Sequence, residues 1–154
     1  MTSPNRRLVL ENLKTTLEGI RVASGYRTTV YRVERLASVD ADVQLAARPY
    51  IGIVGGDWTY ESYPSNRCKC RYNVTLACFV SGSTATTQAQ NAQDLEDDIF
   101  KAIRANPSLS ASGVKSCTMV NITGGVEDMS DLNEAGYLEV KLEIIYHRDY
   151  GATT

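Results

Sequence analysis

Between Cys68 and Val80 the chain alternates with a period of two. Cys68, Cys70, Tyr72, Val74, Leu76, Cys78 and Val80 share one parity; Arg67, Lys69, Arg71, Asn73 and Thr75 share the other. Only an extended strand sends successive side chains to opposite faces, so this stretch requires a sheet with one buried and one solvated face. Such a sheet has to cover its apolar face with a second layer. Two segments carry the matching stripe. Leu10, Leu13, Leu17 and Ile20 recur at helical spacing in a helix predicted over 4–23, opened by Ser3-Pro4 and stopped near Gly25. Ala92, Leu95, Ile99, Ala102 and Ile103 do the same in a second helix predicted over 86–105, which Asn106-Pro107 ends.

β-branched and aromatic residues predict further strands over 28–34, 50–54, 116–122 and 136–147. The mixed stretch 37–47 reads as a loop with room for a short helical turn, and 151–154 as a tail. Gly55-Gly56 is expected to close its strand. Gly124-Gly125 is expected to form a turn that leads into a polar stretch ending at Glu134. The order is therefore α-β-β-β-α-β-β: an α+β fold, one mostly antiparallel or mixed sheet with two helices on one face, in a single domain over 1–154. The other face of the sheet is expected to be polar and charged, meeting water or a neighbouring subunit.

Composition narrows the function classes. Hydrophobic residues make up 43% of the 154 and charged residues 22%, which is ordinary globular usage. No apolar run approaches the ~20 residues that span a bilayer. Leu8-Val9-Leu10 gives way at once to Glu11, too short for a secretory signal, so the expectation is an intracellular chain without a targeting segment. The formal net charge is −2, with cations scattered among acids rather than gathered in a stripe. That argues against tight binding of nucleic-acid phosphates, though not against a place beside DNA.

Residues that could do chemistry are few and poorly placed. Cys68, Cys70 and Cys78 lie on one face of one strand, but Cys70 and Cys78 are about 26 Å apart along it, too far for one metal. With Cys117 they read as small buried thiols. The sequons at Asn73 and Asn121 fall in predicted strands and read as chance. His147 is the one histidine, so any serine or cysteine nucleophile would depend on it or on a lysine. Gly52-Ile-Val-Gly55-Gly56 lacks the lysine of a phosphate loop and the spacing of a dinucleotide fingerprint. Glu139-Val140-Lys141 has the form of a nuclease strand that would hold Mg²⁺ with Asp128 or Asp131, but alternating charge on an exposed strand produces the same tripeptide. The reading is a protein with no catalytic residue, metal or cofactor.

Two clusters invite an interaction role instead. Glu96, Asp97 and Asp98 are consecutive on the second helix and fan around it, so they cannot converge on one metal; the reading is a solvated or channel-facing acidic surface. Residues 55–66 read as a long loop carrying Trp58, Tyr60 and Tyr63. These are candidate anchors for a neighbouring subunit or another protein. The alternative is that the loop folds back and Trp58 caps its own core.

Taken as a pattern of elements, the chain resembles the tail terminator, or tail-completion, proteins of long-tailed bacteriophages. The resemblance is carried by the opening helix Leu8–Ile20, the strand Tyr31–Arg35, the segment Arg48–Ile53, the long strand Arg71–Leu76, the acidic helix Ala92–Ile103 and the final strand Glu139–Tyr146. It covers nearly the whole chain without any short diagnostic motif. It implies a homohexameric ring that caps the tail tube, stops its polymerisation and presents a docking face to the head–neck connector proteins. The implied partners are copies of itself, the tail tube protein and the neck, with DNA passing through the lumen without tight binding. A head–tail connector or head-closure protein of the same neck is the neighbouring reading.

Overall fold

A computed structural model of the chain describes residues 4–37, 48–63, 67–130 and 135–149. Its elements run α1 (Arg6–Glu18), a 3-10 turn (Val22–Ser24), β1 (Arg32–Leu36), β2 (Tyr50–Tyr63), β3 (Arg67–Ser81), α2 (Ala85–Ala105), β4 (Met119–Ser130) and β5 (Ala135–Asp149). The strands form one mixed sheet in the order β1-β2-β3-β5-β4. β1 runs parallel to β2, and every other pairing is antiparallel. The element order is the α-β-β-β-α-β-β read from the sequence.

The alternation that predicts β3 is realised in full. Cys68, Cys70, Tyr72, Val74, Leu76, Cys78 and Val80 are all buried. They stand beside Leu138, Val140, Leu142, Ile144 and Tyr146 of β5, which pairs with β3 along its whole length. α1 lays Val9, Leu10, Leu13 and Leu17 on the β1–β2 side of this face; α2 lays Ala92, Leu95, Ile99 and Ile103 on the β3–β5–β4 side. At ~25 cal/mol per Å² of apolar surface, this shared layer is what holds the two helices to the sheet.

The helix ends differ from expectation. α1 starts at Arg6 because the Asn5 side chain accepts the Leu8 amide at 2.9 Å, and it stops at Glu18, after which Gly19 and Ile20 turn away. The residues beyond Glu18 read as helix form the short turn closed by Gly25 at φ 92. α2 is capped by Thr84, whose hydroxyl accepts from the Thr87 amide.

The sequence suggests that both Gly-Gly pairs end strands, and neither does. β2 continues through Gly55-Gly56 with a bulge before Trp58, and β4 continues through Gly124-Gly125 with a bulge after Ile122. Glycine is needed for close approach rather than for turning. A Cβ on Gly55 would sit 2.1 Å from the Tyr72 hydroxyl, and one on Gly125 would sit 2.3 Å from the Glu139 carbonyl oxygen. The strand expected over 116–122 accordingly begins at Met119 and runs on to Ser130. The loop expected over 37–47 falls, beyond Ala37, outside the described residues, as do the end of the polar stretch at 131–134 and the tail.

The outer face is less uniformly polar than its charges suggest. Tyr50, Phe79 and Tyr137 line up across it with ring centroids 6.0 and 5.4 Å apart. The Tyr50 hydroxyl donates to Glu34 at 2.9 Å. Burial, with that carboxylate next to it, pushes the Tyr50 phenol up to about 12.

Candidate interaction surfaces

Trp58 and Tyr60 belong to a strand, not to a loop. The bulge in β2 places Trp58 opposite Tyr72 and Tyr60 opposite Cys70, so both point to the helix-covered face, beyond the start of α1. The Arg6 guanidinium lies 3.5 Å from the Trp58 ring centroid and 6.0 Å from that of Tyr72. Trp58 thus has one face covered by its own chain and remains 42% exposed; Tyr60 is 50% exposed. The indole is therefore neither free in a loop nor part of the buried core. Burial raises the Tyr72 phenol, and Arg6 and Arg35 pull it back down, which places both cations around this aromatic group. Tyr63 ends β2; its side chain lies outside the described residues.

Beneath the aromatic surface, Cys70 and Tyr146 are fully buried. The Tyr146 hydroxyl makes no hydrogen bond of good geometry, with Cys70 and Tyr60 as its polar neighbours, and burial drives its phenol well above the ordinary value. Cys68 and Cys70 sulfurs are 3.8 Å apart and free. Burial pushes the Cys70 and Cys117 thiols up to about 12 and Cys78 higher still, so all three are held as neutral thiols.

The three consecutive acids of α2 go three ways. Asp98 is 2% exposed and turned inward. Its carboxylate accepts from the Arg27 amide at 3.1 Å and from both the amide and the hydroxyl of Thr28, at 2.8 and 2.5 Å. It therefore ties the segment before β1 to α2 and shares no surface with the other two. Asp97 faces outward with Asp94, both near the Arg27 guanidinium at 3.5 and 3.3 Å. Glu96 leans instead toward the bulge in β4, where it lines a notch with Gly124, Gly125 and Glu127.

The Glu139-Val140-Lys141 strand also resolves. Lys141 lies 3.9 Å from Glu139, and the Tyr137 hydroxyl donates to Glu139 at 2.6 Å. Asp128 stands opposite Tyr137, a diagonal position from Glu139; Asp131 lies outside the described residues. Among the described residues no group of three or more His, Cys, Asp or Glu side chains is placed to hold a metal ion. His147 sits on β5 with Nδ1 3.0 Å from the Thr118 hydroxyl. No described helix is long and apolar enough to cross a membrane.

Sequence reasoning missed Arg6, whose position over Trp58 depends on α1 meeting the outer half of β2. It also missed Tyr31, which stands 70% exposed just before β1.

No family model matches the chain, and no curated protein matches its sequence. Thirty-three chains of solved structures do match, among them one from the virion of a native gene transfer agent particle. That chain shares 10% identity, with a TM-score of 0.57 over 88% of this chain and 91% of that one. At such identity the likeness is one of fold, and it spans almost the full length of both.

Proposed function

We propose that this chain is a structural virion protein of a phage-like particle, and that it acts as a tail terminator: a ring that caps the tail tube, ends its growth and receives the neck. The observation that carries the reading is the near full-length fold likeness to a chain of a gene transfer agent virion. The absence of a basic stripe from a chain with net charge −2 supports it, because DNA sliding through a ring must not be held by clustered cations. In this reading Asp97, with Asp94, belongs to the surface turned toward the DNA path. Trp58 and Tyr60 belong to the surface that meets the tube or a neighbouring subunit, with Arg6 framing it.

The test is to localise the protein in assembled particles by electron microscopy with an antibody or a small tag. Label at the tube end next to the neck, together with overlong tails when the gene is deleted, supports termination. Label on the head side of the neck, with tails of normal length, replaces it with a connector or head-closure role. Metal-dependent DNA cleavage by the purified protein, abolished by Glu139→Ala, would overturn the structural reading altogether.

A further inference from the structure

The two edges of the sheet are built as opposites. Among the described residues no strand pairs with the outer side of β1 or of β4, so each presents unpaired backbone groups. At each edge the strand and its helix frame a groove. Between α1 and β1 the groove, of about 330 Å³, is lined by Lys14, Arg21 and Arg32 against Glu18 and Glu34, with Tyr31 at its mouth. Arg32 and Glu34 are already paired, at 2.5 Å, which leaves the cations in excess; Arg35 adds a further exposed cation on the same strand. Between α2 and β4 the groove, of about 180 Å³, is lined by Glu96, Glu127 and Glu139. The Glu139 carboxylate is already paired with Lys141 and the Tyr137 hydroxyl, which leaves Glu96 and Glu127, with Val126 exposed beside them and Asp128 next along the strand. Gly124 and Gly125 leave that edge without side chains at the bulge.

We infer that β1 of one copy docks on β4 of the next, head to tail, so that the sheet continues from subunit to subunit. Strand direction permits it. β1 is parallel to β2; β2 is antiparallel to β3, and β3 to β5, so β1 runs with β5; β4 runs against β5 and hence against β1. A join that keeps all helices on one side is therefore antiparallel, the pairing that needs no crossover within a chain and is slightly more stable per residue than the parallel one. Charge selects the partner: the acidic edge repels another acidic edge and attracts the basic one. The contact is heterologous, which closes into a ring when its rotation permits. Tyr31 supplies an aromatic anchor on one side and Val126 an apolar seat on the other. This rests on the ring reading above and names the surfaces that would make the ring.

The experiment is cross-linking. Tyr31→Cys and Val126→Cys are introduced singly and together, and each purified chain is treated with a flexible bis-maleimide. The unsubstituted chain is the blank, since its four cysteines are buried. The double variant is expected to give a ladder of covalent oligomers, and an equal mixture of the single variants only a dimer. Arg21→Glu and Glu127→Arg should each lower the ring fraction by about tenfold, and the two together should restore it. Oligomers by light scattering without a ladder would overturn the edge pairing and leave the ring standing. A chain monomeric at every concentration would overturn both. A dimer from Val126→Cys alone would show isologous β4 pairing and overturn the head-to-tail join.

Discussion

β2 and β4 look alike in the sequence and end differently in the fold. Each is an apolar run that meets a Gly-Gly pair and continues into polar residues, and each keeps its strand through a bulge at the glycines. Over Gly55 lie the Tyr72 phenol and, further off, Leu10 of α1; beyond the bulge Arg6 covers Trp58. Around Gly124 nothing comes within 4 Å of where a Cβ would be, and Val126 beyond it is 53% exposed. Among the described residues, pairing of β2 with β1 ends at Val54, so both bulges lie at an open sheet edge. The same local device is closed over by the chain's own side chains in β2 and left open in β4. Cover by side chains from elsewhere in the chain, not local composition, decides whether a bulge serves the fold or an encounter.

The largest expected effect tests whether the two flanks stand independently. Asp98 is one tie between them, beside the bonds made by Asn12, Lys101 and Asn106, and Asp98→Ala leaves the Arg27 amide and both Thr28 donors without their charged acceptor. Bonds to a charged acceptor are worth more than neutral ones, so the loss should be about 3 kcal/mol, with Asp98→Asn milder. Urea unfolding measures it. A loss below about 1 kcal/mol would mean that the flanks do not depend on this contact.

The comparison itself is tested at the glycines. Gly55→Val must displace a buried tyrosine and should cost about 2 kcal/mol. Gly125→Ala meets the Glu139 carbonyl, but an edge strand can move outward, so its cost should be nearer 1 kcal/mol while ring formation suffers more. If the two variants melt alike, and assemble alike, the distinction between closed and open bulges is wrong.

How much of this was legible beforehand follows the same line. The helix-covered face was readable because burial on one face writes a period of two into β3 and β5 and a stripe into each helix. The bulges were not, because a glycine demanded by the approach of Tyr72 or of the Glu139 carbonyl is indistinguishable in sequence from one demanded by a turn. The fan of the α2 acids was predictable from helical geometry. Which of them turns inward was not, because the donors that hold Asp98 come from residues about 70 positions away. The Trp58 segment was recognisable as unusual by its aromatic content, while its covering by Arg6 depends on a long-range contact.

That contact can be weighed directly. Trp58→Ala should cost about 1–2 kcal/mol, between the near-zero expected of a free docking residue and the several expected of a fully buried one, because one ring face packs under a guanidinium. Arg6→Ala should cost less. In a double-mutant cycle the pair should show a coupling of about 0.5–1 kcal/mol. Additive effects would mean that Arg6 passes over the indole without holding it.

The smallest effect separates the two regions by their openings rather than their stability. Cys70 lies under the closed half of β2, and Cys117 leads into β4; burial pushes both thiols up to about 12 from an ordinary value near 9. A thiol whose folded value is raised favours the folded state fully below the unfolded value, and that contribution is lost as pH rises from 9 toward 12. Melting temperature should therefore decline across this window, and less so in Cys117→Ala. Labelling with iodoacetamide at pH 9, followed by peptide mass spectrometry, adds the comparison. Cys70 is 0% exposed and walled by paired strands; Cys117 is 8% exposed and held by the Thr118 amide on the Ile145 carbonyl and by weak contact with the Pro107 carbonyl. Local opening governs reaction of a buried group, and edge elements open more cheaply than inner ones. Cys117 should be labelled first, with Cys70 reacting only at the rate of global unfolding; equal rates would show that the edge and the interior open as one unit.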